Sequence, residues 1–244
     1  MLQCCGVQNG FFILRNYLAR EKVEQVTKGN SLERFEFVED DPALLREKLL
    51  AEAAQHKQVE TGEAAGGTVT VDQAFNVKGV GTVALGVVRN GGGGEARLMR
   101  VLPGEKTAQI RSIQKHDEDF DLAIAGDRVG LALKNVDVED LERGAVLTID
   151  PSVRVSKELK TRVSLVKFWQ APLKKDVVIH LGNWMQFVPC RVEAVSEEAD
   201  WRNPLLALTL EKPLVFCRQQ GCCDVSGGWK TLRRWHYTTI VETL

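Results

Sequence analysis

The feature that most constrains the fold is a regular alternation of apolar and polar residues between Val71 and Leu147. Segments such as TVTVDQAF, GTVALGVV and AQIRSI repeat with a period of two residues, which is typical of β-strands with one buried face. Glycines punctuate these segments, as expected where a coiled sheet bends, bulges or needs positive φ. We therefore predict a small closed β-barrel here, because closure removes exposed strand edges.

A second group of strand-like segments lies between residues 159 and 217: LKTRVSLVKF, DVVIHLGN, FVPCRVEAV and PLLALTLEKPLVF. Their regular spacing and intervening turn residues again indicate a β-barrel. The predicted fold is thus mainly β, with two small antiparallel β-barrels in tandem preceded by a short α/β segment. The predicted boundaries are 1–60 for the α/β segment, 61–67 for a linker, 68–150 for the first barrel, and 151–244 for the second barrel with a divergent tail.

The α/β segment shows two short apolar runs and one helical pattern. GFFIL and LERFEFVED are predicted strands, and residues 42–57 are a predicted helix. Asp41 is a good N-cap residue, and Pro42 suits the first helical turn. The helix is expected to bury one apolar stripe, formed by Leu44, Leu45, Leu49 and Ala53.

Composition restricts the classes of function. The formal net charge of −1 over 244 residues argues against a chain coated in basic residues for non-specific nucleic-acid binding, although a local basic patch is compatible with it. No apolar run approaches the roughly eighteen residues of a membrane span, and the first residues do not resemble a signal peptide. We expect a cytoplasmic protein without membrane contact, whose six cysteines are reduced thiols.

Several short motifs follow one another through the first strand group. They are VDQAF with GVGTV (71–75 and 79–83), RSIQ (111–114), AGDRVG (125–130) and LERG (141–144). In this order they resemble domain two of translation elongation factors of the elongation factor Tu class, in particular the archaeal branch related to the selenocysteine-specific factor. The second strand group is similar to domain three of the same factors. Residues 1–60 resemble a remnant of the C-terminal part of their GTP-binding domain.

The nucleotide-binding motifs of that domain are missing from the sequence. No G-x-x-x-x-G-K-[ST] motif is present to hold phosphates, and no Lys-Ser or Lys-Thr follows the glycines 91–94, which are a predicted hairpin tip. Arg15-Asn16-Tyr17-Leu18 occupies the place of the guanine-reading Asn-Lys-x-Asp motif. We therefore expect no GTP binding, no GTPase or other enzymatic activity and no cofactor.

The resemblance also implies a binding site. In these factors a shallow pocket on domain two holds the amino acid esterified to the 3′ end of tRNA. By motif position, the corresponding residues here are Asp72, Gln73, Phe75, His116 and Arg128. Many family members have aspartate in place of Gln73, and the general factor has asparagine in place of Arg128. An arginine there would suit an acidic or selenolate-like amino acid, or a phosphate of the terminal nucleotides.

Three basic residues are possible contacts to tRNA phosphates, namely Lys78, Arg111 and Lys115. All of these candidates except Gln73 also have structural interpretations, which the sequence leaves open. Phe75 could belong to the core and His116 to a solvated turn. Asp72 and Arg128 could form an ion pair between strands, worth about 0–1 kcal/mol if exposed, and the basic residues could simply be solvated.

Other chemistry has weaker support. The possible zinc ligands have the wrong spacing, because adjacent cysteines rarely chelate one ion tetrahedrally. They are Cys190, Cys217, Cys222, Cys223, His180 and His236. No metal site and no catalytic triad are predicted. The tail clusters Trp229, Trp235, His236 and Tyr237 beside Lys230, Arg233 and Arg234. It could be a nucleic-acid-binding patch, an edge strand or a segment without definite structure.

Two functional hypotheses follow. In the first, the protein is an elongation-factor-like RNA-binding protein of translation. It binds the acceptor end of aminoacyl-tRNA through its barrels, with the ribosome or a GTP-binding partner domain as further candidate partners. In the second, it is a degenerate paralogue or a fragment of a longer translational GTPase, and acts as a protein–protein interaction module. The fragment version of the second hypothesis predicts an exposed apolar face near residues 11–14.

Overall fold

A computed structural model describes residues 9–55, 67–90, 93–94, 98–165, 169–196, 200–217, 222–227 and 235–243. For residues 93–94, 222–227 and 235–243 it describes the backbone alone. The chain divides into two compact units, Met1–Glu60 and Thr61–Leu244. Strands dominate the described residues, so the prediction of a mainly β protein is confirmed. Residues 61–66 of the predicted linker lie outside the described ranges, and the finer domain boundaries stay a prediction.

The first unit alternates strands and helices. Its elements are β1 (Phe11–Ile13), α1 (Arg20–Thr27), a 3-10 helix (Ser31–Arg34), β2 (Glu36–Val38) and α2 (Pro42–Gln55). β1 and β2 pair in parallel, with Phe12 opposite Phe37. Phe12 also contacts Phe35, with ring centroids 5.4 Å apart. Sequence reasoning missed α1, which has neither a capping side chain at Ala19 nor a wide apolar stripe.

α2 begins as predicted but is not buried as predicted. Asp41 Oδ1 accepts hydrogen bonds from the backbone N–H groups of Ala43 (2.8 Å) and Leu44 (3.3 Å), which confirms the N-cap. The expectation of a buried apolar stripe is wrong, since Leu44 and Leu45 are only half-buried, and Leu49 and Ala53 are exposed. The paired strands are only three residues long, so the helix has little sheet to cover. Neither this helix nor any other that the structure describes is long and apolar enough to cross a membrane.

The first part of the second unit is a seven-stranded sheet. Its strands are β3 (Thr68–Val77), β4 (Gly81–Asn90), β6 (Leu98–Leu102), β7 (Thr107–Lys115), β8 (Glu118–Phe120), β10 (Arg128–Lys134) and β11 (Val146–Thr148), with a small pair formed by β5 (Gly93–Gly94) and β9 (Leu122–Ala123). The order is β10-β4-β3-β11-β6-β7-β8, and β10 also pairs with β7, so the sheet returns on itself. It encloses fully buried residues such as Val71, Ile113 and Leu147. Of the predicted hairpin tip, Gly91 and Gly92 lie outside the described residues, and Gly93 and Gly94 pair with Ala123 and Leu122.

The second part of this unit is a closed barrel. Its strands are β12 (Val153–Ser164), β13 (Val178–Asn183), β14 (Gln186–Val195), β15 (Leu205–Cys217), β16 (Cys222–Gly227) and β17 (Trp235–Thr243), in the order β12-β15-β14-β13-β16-β17. Leu159, Ile179, Leu206 and Phe216 fill its interior. β17 pairs with both β16 and β12, so it is not an edge strand. The side chains of the tail cluster lie outside the described residues, and its proposed nucleic-acid patch stays untested.

The two sheets of this unit meet at the turn between β13 and β14. Trp184 packs against a small core cluster of Leu102, Val146, Val153 and Val215. Gln186 donates from Nε2 to the Val215 carbonyl (2.7 Å) and accepts at Oε1 from the Val215 N–H (2.8 Å). Both hydrogen bonds fix the Gln186 side chain beside Gly144.

The candidate metal ligands whose side chains the structure describes do not assemble. Cys190 and Cys217 are buried thiols, and the Cys217 Sγ lies 3.3 Å from Ser152 Oγ. His180 stacks on Phe187, with ring centroids 4.9 Å apart. Within the described ranges no group of three potential ligands is arranged to hold a metal ion. Cys222, Cys223 and His236 are described by their backbone alone, so this statement does not cover their side chains.

Candidate functional site

The candidate site is the outward side of four neighbouring strands, β3, β4, β10 and β7, called the outer face below. Antiparallel pairing places Gln73, Leu85, Gly130 and Gln114 in one row across these strands. The next row is Phe75, Val83, Ala132 and Ser112. The alternate residues of the same strands, such as Ala84, Leu131 and Ile113, point into the core. Two of the sequence-predicted residues, Gln73 and Phe75, therefore share one surface.

Unlike its neighbour Gln73, Asp72 is not part of these rows, because it lies at a β-bulge in β3. Val71 pairs with Gly86 and Gln73 with Leu85, so Asp72 has no partner of its own in the ladder. Its Oδ1 lies 3.1 Å from Arg143 Nε. The suggested ion pair between Asp72 and Arg128 is thus wrong: in the described part of the chain, Asp72 pairs with Arg143. A bulge redirects a side chain in this way by adding one residue to one strand.

His116 and Arg128 lie at one end of the outer face. His116 and Asp117 form the two-residue turn between β7 and β8, and both have positive φ, 52° and 65°. This is the backbone of a tight hairpin turn. Arg128 opens β10 opposite Val87 and is exposed. Considering only the residues that the structure describes, its guanidinium has no hydrogen-bond or ion-pair partner.

The neighbours of these two residues form an ion pair. Lys115 Nζ lies 3.1 Å from Asp127 Oδ2, and the side chains are only 19% and 26% exposed. The same carboxylate oxygen accepts a hydrogen bond from the Ile124 N–H at 3.0 Å. The Lys115 ammonium also lies 4.1 Å from the centroid of the Phe120 ring. Lys115, a predicted phosphate contact, therefore already has its charge compensated.

The two other predicted phosphate contacts lie at the opposite end of the outer face. Lys78 is exposed in the turn between β3 and β4. Arg111 Nη1 donates to the Val80 carbonyl in that turn at 2.8 Å. Six residues of extended β4 separate this end from Val87, which corresponds to about 20 Å. One small ligand cannot contact both ends.

The two rows of residues given above form an uncharged strip on the outer face, and the exposed Arg128 lies at one end of this strip. Leu85 is 36% exposed, and Phe75 is half-buried beside Gln73. Gly130 leaves the middle of the strip low because it has no side chain, although a Cβ there would fit, 3.5 Å from Leu85 Cδ2. Such a surface suits a small, partly apolar group attached to an anionic one. Leu85, Gly130 and Gln114 were missed from the sequence, because only the strand register places them beside Gln73.

Comparisons with known proteins point to one family. Residues 81–148, which hold most of the outer face, match the family model for elongation factor Tu domain 2. An uncharacterized protein of Methanocaldococcus jannaschii is 31% identical over 229 residues, which cover 94% of this chain and 70% of that protein. The chain belongs to the elongation factor Tu family. Within it, the selenocysteine-specific elongation factor of the same archaeon is 33% identical over 123 residues, or 50% of this chain and 26% of that factor.

Solved structures show that this family member shares its fold with selenocysteine-specific factors. Translation elongation factor SelB from Methanococcus maripaludis, in complex with the GTP analogue GPPNHP, superposes with a TM-score of 0.81 at 18% identity. The match covers 99% of this chain and 60% of SelB. A bacterial selenocysteine-specific elongation factor gives a TM-score of 0.79 at 19% identity, covering 98% of this chain and 40% of that protein. The chain therefore spans only part of these relatives.

Proposed function

We propose that this protein binds the acceptor end of an aminoacyl-tRNA through the outer face and does so without hydrolysing GTP. Its two sheets would then correspond to domains two and three of the elongation factors, arranged as tandem β-barrels. Its place of action would be the cytoplasm, with the ribosome or a separate GTP-binding domain as further partners. The family assignment supports a role in translation.

The observation that carries the proposal is the grouping of Gln73 and Phe75 on the outer face, with His116 and Arg128 at one end of it. Antiparallel register puts His116 two residues beyond Gln114 and Arg128 two residues before Gly130, which are partners. Both residues thus approach from the same end of the strands. An amino acid could lie along the uncharged strip while the arginine meets a phosphate or an acidic side chain.

Different parts of the ligand would use different residues. Phe75 and Leu85 offer apolar contact to the aminoacyl group, and Gln73 offers an amide that both donates and accepts hydrogen bonds. Arg128 offers a planar fork of donors, which fits carboxylate or phosphate oxygens in pairs. Lys78 and Arg111, about 20 Å away, would contact more distant phosphates of the same tRNA.

The sequence supports the absence of GTP hydrolysis. The chain has no G-x-x-x-x-G-K-[ST] motif, and Arg15-Asn16-Tyr17-Leu18 replaces the guanine-reading motif. Phosphoryl transfer depends on positioned phosphate and magnesium contacts. Without these residues, we expect no GTP affinity in the micromolar range.

A tRNA-binding titration tests the proposal directly. Aminoacylated and deacylated tRNA are titrated at low and moderate salt, and GTP binding is measured on the same sample. We expect tighter binding of the aminoacylated form, weakened by salt. Arg128→Ala and His116→Ala should weaken it, whereas Lys157→Ala, which removes an exposed charge on β12 of the second barrel, should not. If both site variants bind aminoacyl-tRNA as tightly as the parent chain, the outer face is not the binding site. Measurable GTP affinity would contradict the expected absence of GTP binding.

A second candidate is a protein–protein interaction module. The exposed leucines of α2, Leu49 and Leu50, and the 39% exposed Ile13 of β1 favour it, because short parallel strands normally lie within a larger covered sheet. The partner would be a separately encoded GTP-binding domain. Calorimetric titration with the purified GTP-binding domain of an elongation factor tests this candidate. Leu49→Lys should abolish any binding that depends on this surface.

A further inference from the structure

Lys115 and Asp127 directly precede His116 and Arg128, the two residues at the end of the proposed site. We propose that they are positioning residues, whose ion pair fixes the distance between His116 and Arg128, and that Lys115 does not contact tRNA. This inference rests on the proposed function for its consequence in binding. The geometry behind it belongs to the free protein.

The ion pair lies where the strand ladder stops. The registered pairing of β10 with β7 ends at Gly130 and Gln114. Beyond that pair, the chains continue to Arg128 on one side and His116 on the other. The 3.1 Å contact between Lys115 Nζ and Asp127 Oδ2 joins the two segments at this point. The ion pair therefore joins β7 and β10 through side chains, just beyond the point where their backbone pairing ends.

Asp127 is held firmly on its own side. Its Oδ2 accepts from the Ile124 N–H at 3.0 Å, and its carbonyl accepts from the Val88 N–H at 3.0 Å. The turn that precedes Arg128 is thereby tied to β4 as well as to Lys115. Because Arg128 is the next residue in the chain, its starting point on β10 is set by these contacts.

Lys115 is held equally well. Its ammonium lies between the Asp127 carboxylate and the face of the Phe120 ring, 4.1 Å from the ring centroid. A partly buried ammonium with both partners in place would have to give them up to reach a phosphate. His116 follows directly in the tight turn with φ 52°. The orientation of that turn depends on where Lys115 is anchored.

The positioning role and a phosphate contact predict opposite results for Asp127→Asn. If the region attracts tRNA by charge alone, removing a negative charge strengthens binding. If the ion pair positions the site, Asp127→Asn weakens binding, as does Lys115→Met. We expect aminoacyl-tRNA affinity to fall by about 3- to 10-fold in each variant. The double variant should be no weaker than either single variant, because one interaction is lost in all three.

Salt dependence supplies a second criterion. Loss of one phosphate contact makes the dependence of log K on log salt concentration less steep, reducing the magnitude of the slope by about 0.7–0.9. We expect Lys115→Met to leave that slope unchanged and Lys115→Arg to bind within about twofold of the parent chain. Lys157→Met, which removes an exposed lysine of β12 in the second barrel, is the matched control for charge. A reduced slope in Lys115→Met, or tighter binding by Asp127→Asn, would overturn the proposal.

A measurement on the free protein separates this inference from the proposed function. The imidazole NMR signals of His116, assigned with His116→Asn, should shift in Lys115→Met and in Asp127→Asn but not in Lys157→Met. If they shift and the parent chain binds no tRNA, the positioning role stands and the proposed function fails. If they do not shift, the positioning role is refuted whatever the chain binds.

Discussion

Gly144 faces Gln186 so closely that a methyl group on its Cα would lie 2.9 Å from Gln186 Cγ and 3.2 Å from its Cα. Gly144 also has φ of 91°, which favours glycine. We expect Gly144→Ala to cost about 1–2 kcal/mol for the backbone and about 1–3 kcal/mol more for the overlap. Denaturant unfolding of the parent and variant chains measures the sum.

Gly126→Ala is the matched control for that substitution. Gly126 has nearly the same φ, 95°, but nothing lies within 4 Å of the position that a methyl group on its Cα would take. Gly126→Ala should therefore lose only the free energy of unfolding that the positive φ costs a residue with a side chain, about 1–2 kcal/mol. Equal losses in the two variants would mean that Gly144 and Gln186 are not in contact in solution.

Cys190 should make stability depend on alkaline pH. Burial in the second barrel raises the pKa of its thiol from 9.0 to about 12. Above pH 9 the unfolded chain releases this proton while the folded chain retains it, so unfolding is favoured as pH rises toward 12. At pH 10.5 the loss attributable to this thiol is about 2 kcal/mol relative to pH 8.

Cys190→Ala separates this thiol from other groups that titrate at high pH. The variant loses buried sulfur and should be less stable than the parent chain at pH 8. The decisive quantity is the slope of unfolding free energy against pH between 8 and 10.5, which should be shallower in the variant. Parallel slopes would show that Cys190 reaches solvent in the folded state.

The N-cap of α2 should contribute measurably to that helix. Asp41→Ala removes the carboxylate that accepts from the N–H groups of Ala43 and Leu44, at an expected cost of about 0.5–2 kcal/mol. Amide hydrogen exchange within α2 measures the loss locally. Asp41→Asn keeps a capping oxygen and should retain most of the protection; identical exchange in Asp41→Ala and Asp41→Asn would argue against the cap.

The exposed leucines of α2 should tolerate charge. At 58% exposure, Leu49→Lys should change stability by no more than about 0.5 kcal/mol. Phe35→Ala, at a position only 8% exposed and in contact with Phe12, should cost about 3–5 kcal/mol. A large loss in Leu49→Lys would reveal that another surface covers α2.

The strands were predictable because their core positions alternate with exposed ones, as Ala84 and Leu85 do on β4. The row that joins Gln73 to Gly130 was not, because register depends on pairing between segments distant in sequence. The bulge at Asp72 and the ion pair between Lys115 and Asp127 were missed for the same reason. Phe75 itself is predicted by the motif resemblance, and the structure supplies the neighbours of that residue.

The pairing of Leu159 with Thr243 has a consequence for biosynthesis. The hydrogen bonds on that side of β12, the first strand of the second barrel, can form only after β17 has been synthesised. During translation, β12 emerges from the ribosomal tunnel long before β17, and its open side is available to other nascent chains. A chaperone that shields extended segments would have its greatest effect on this protein during that interval.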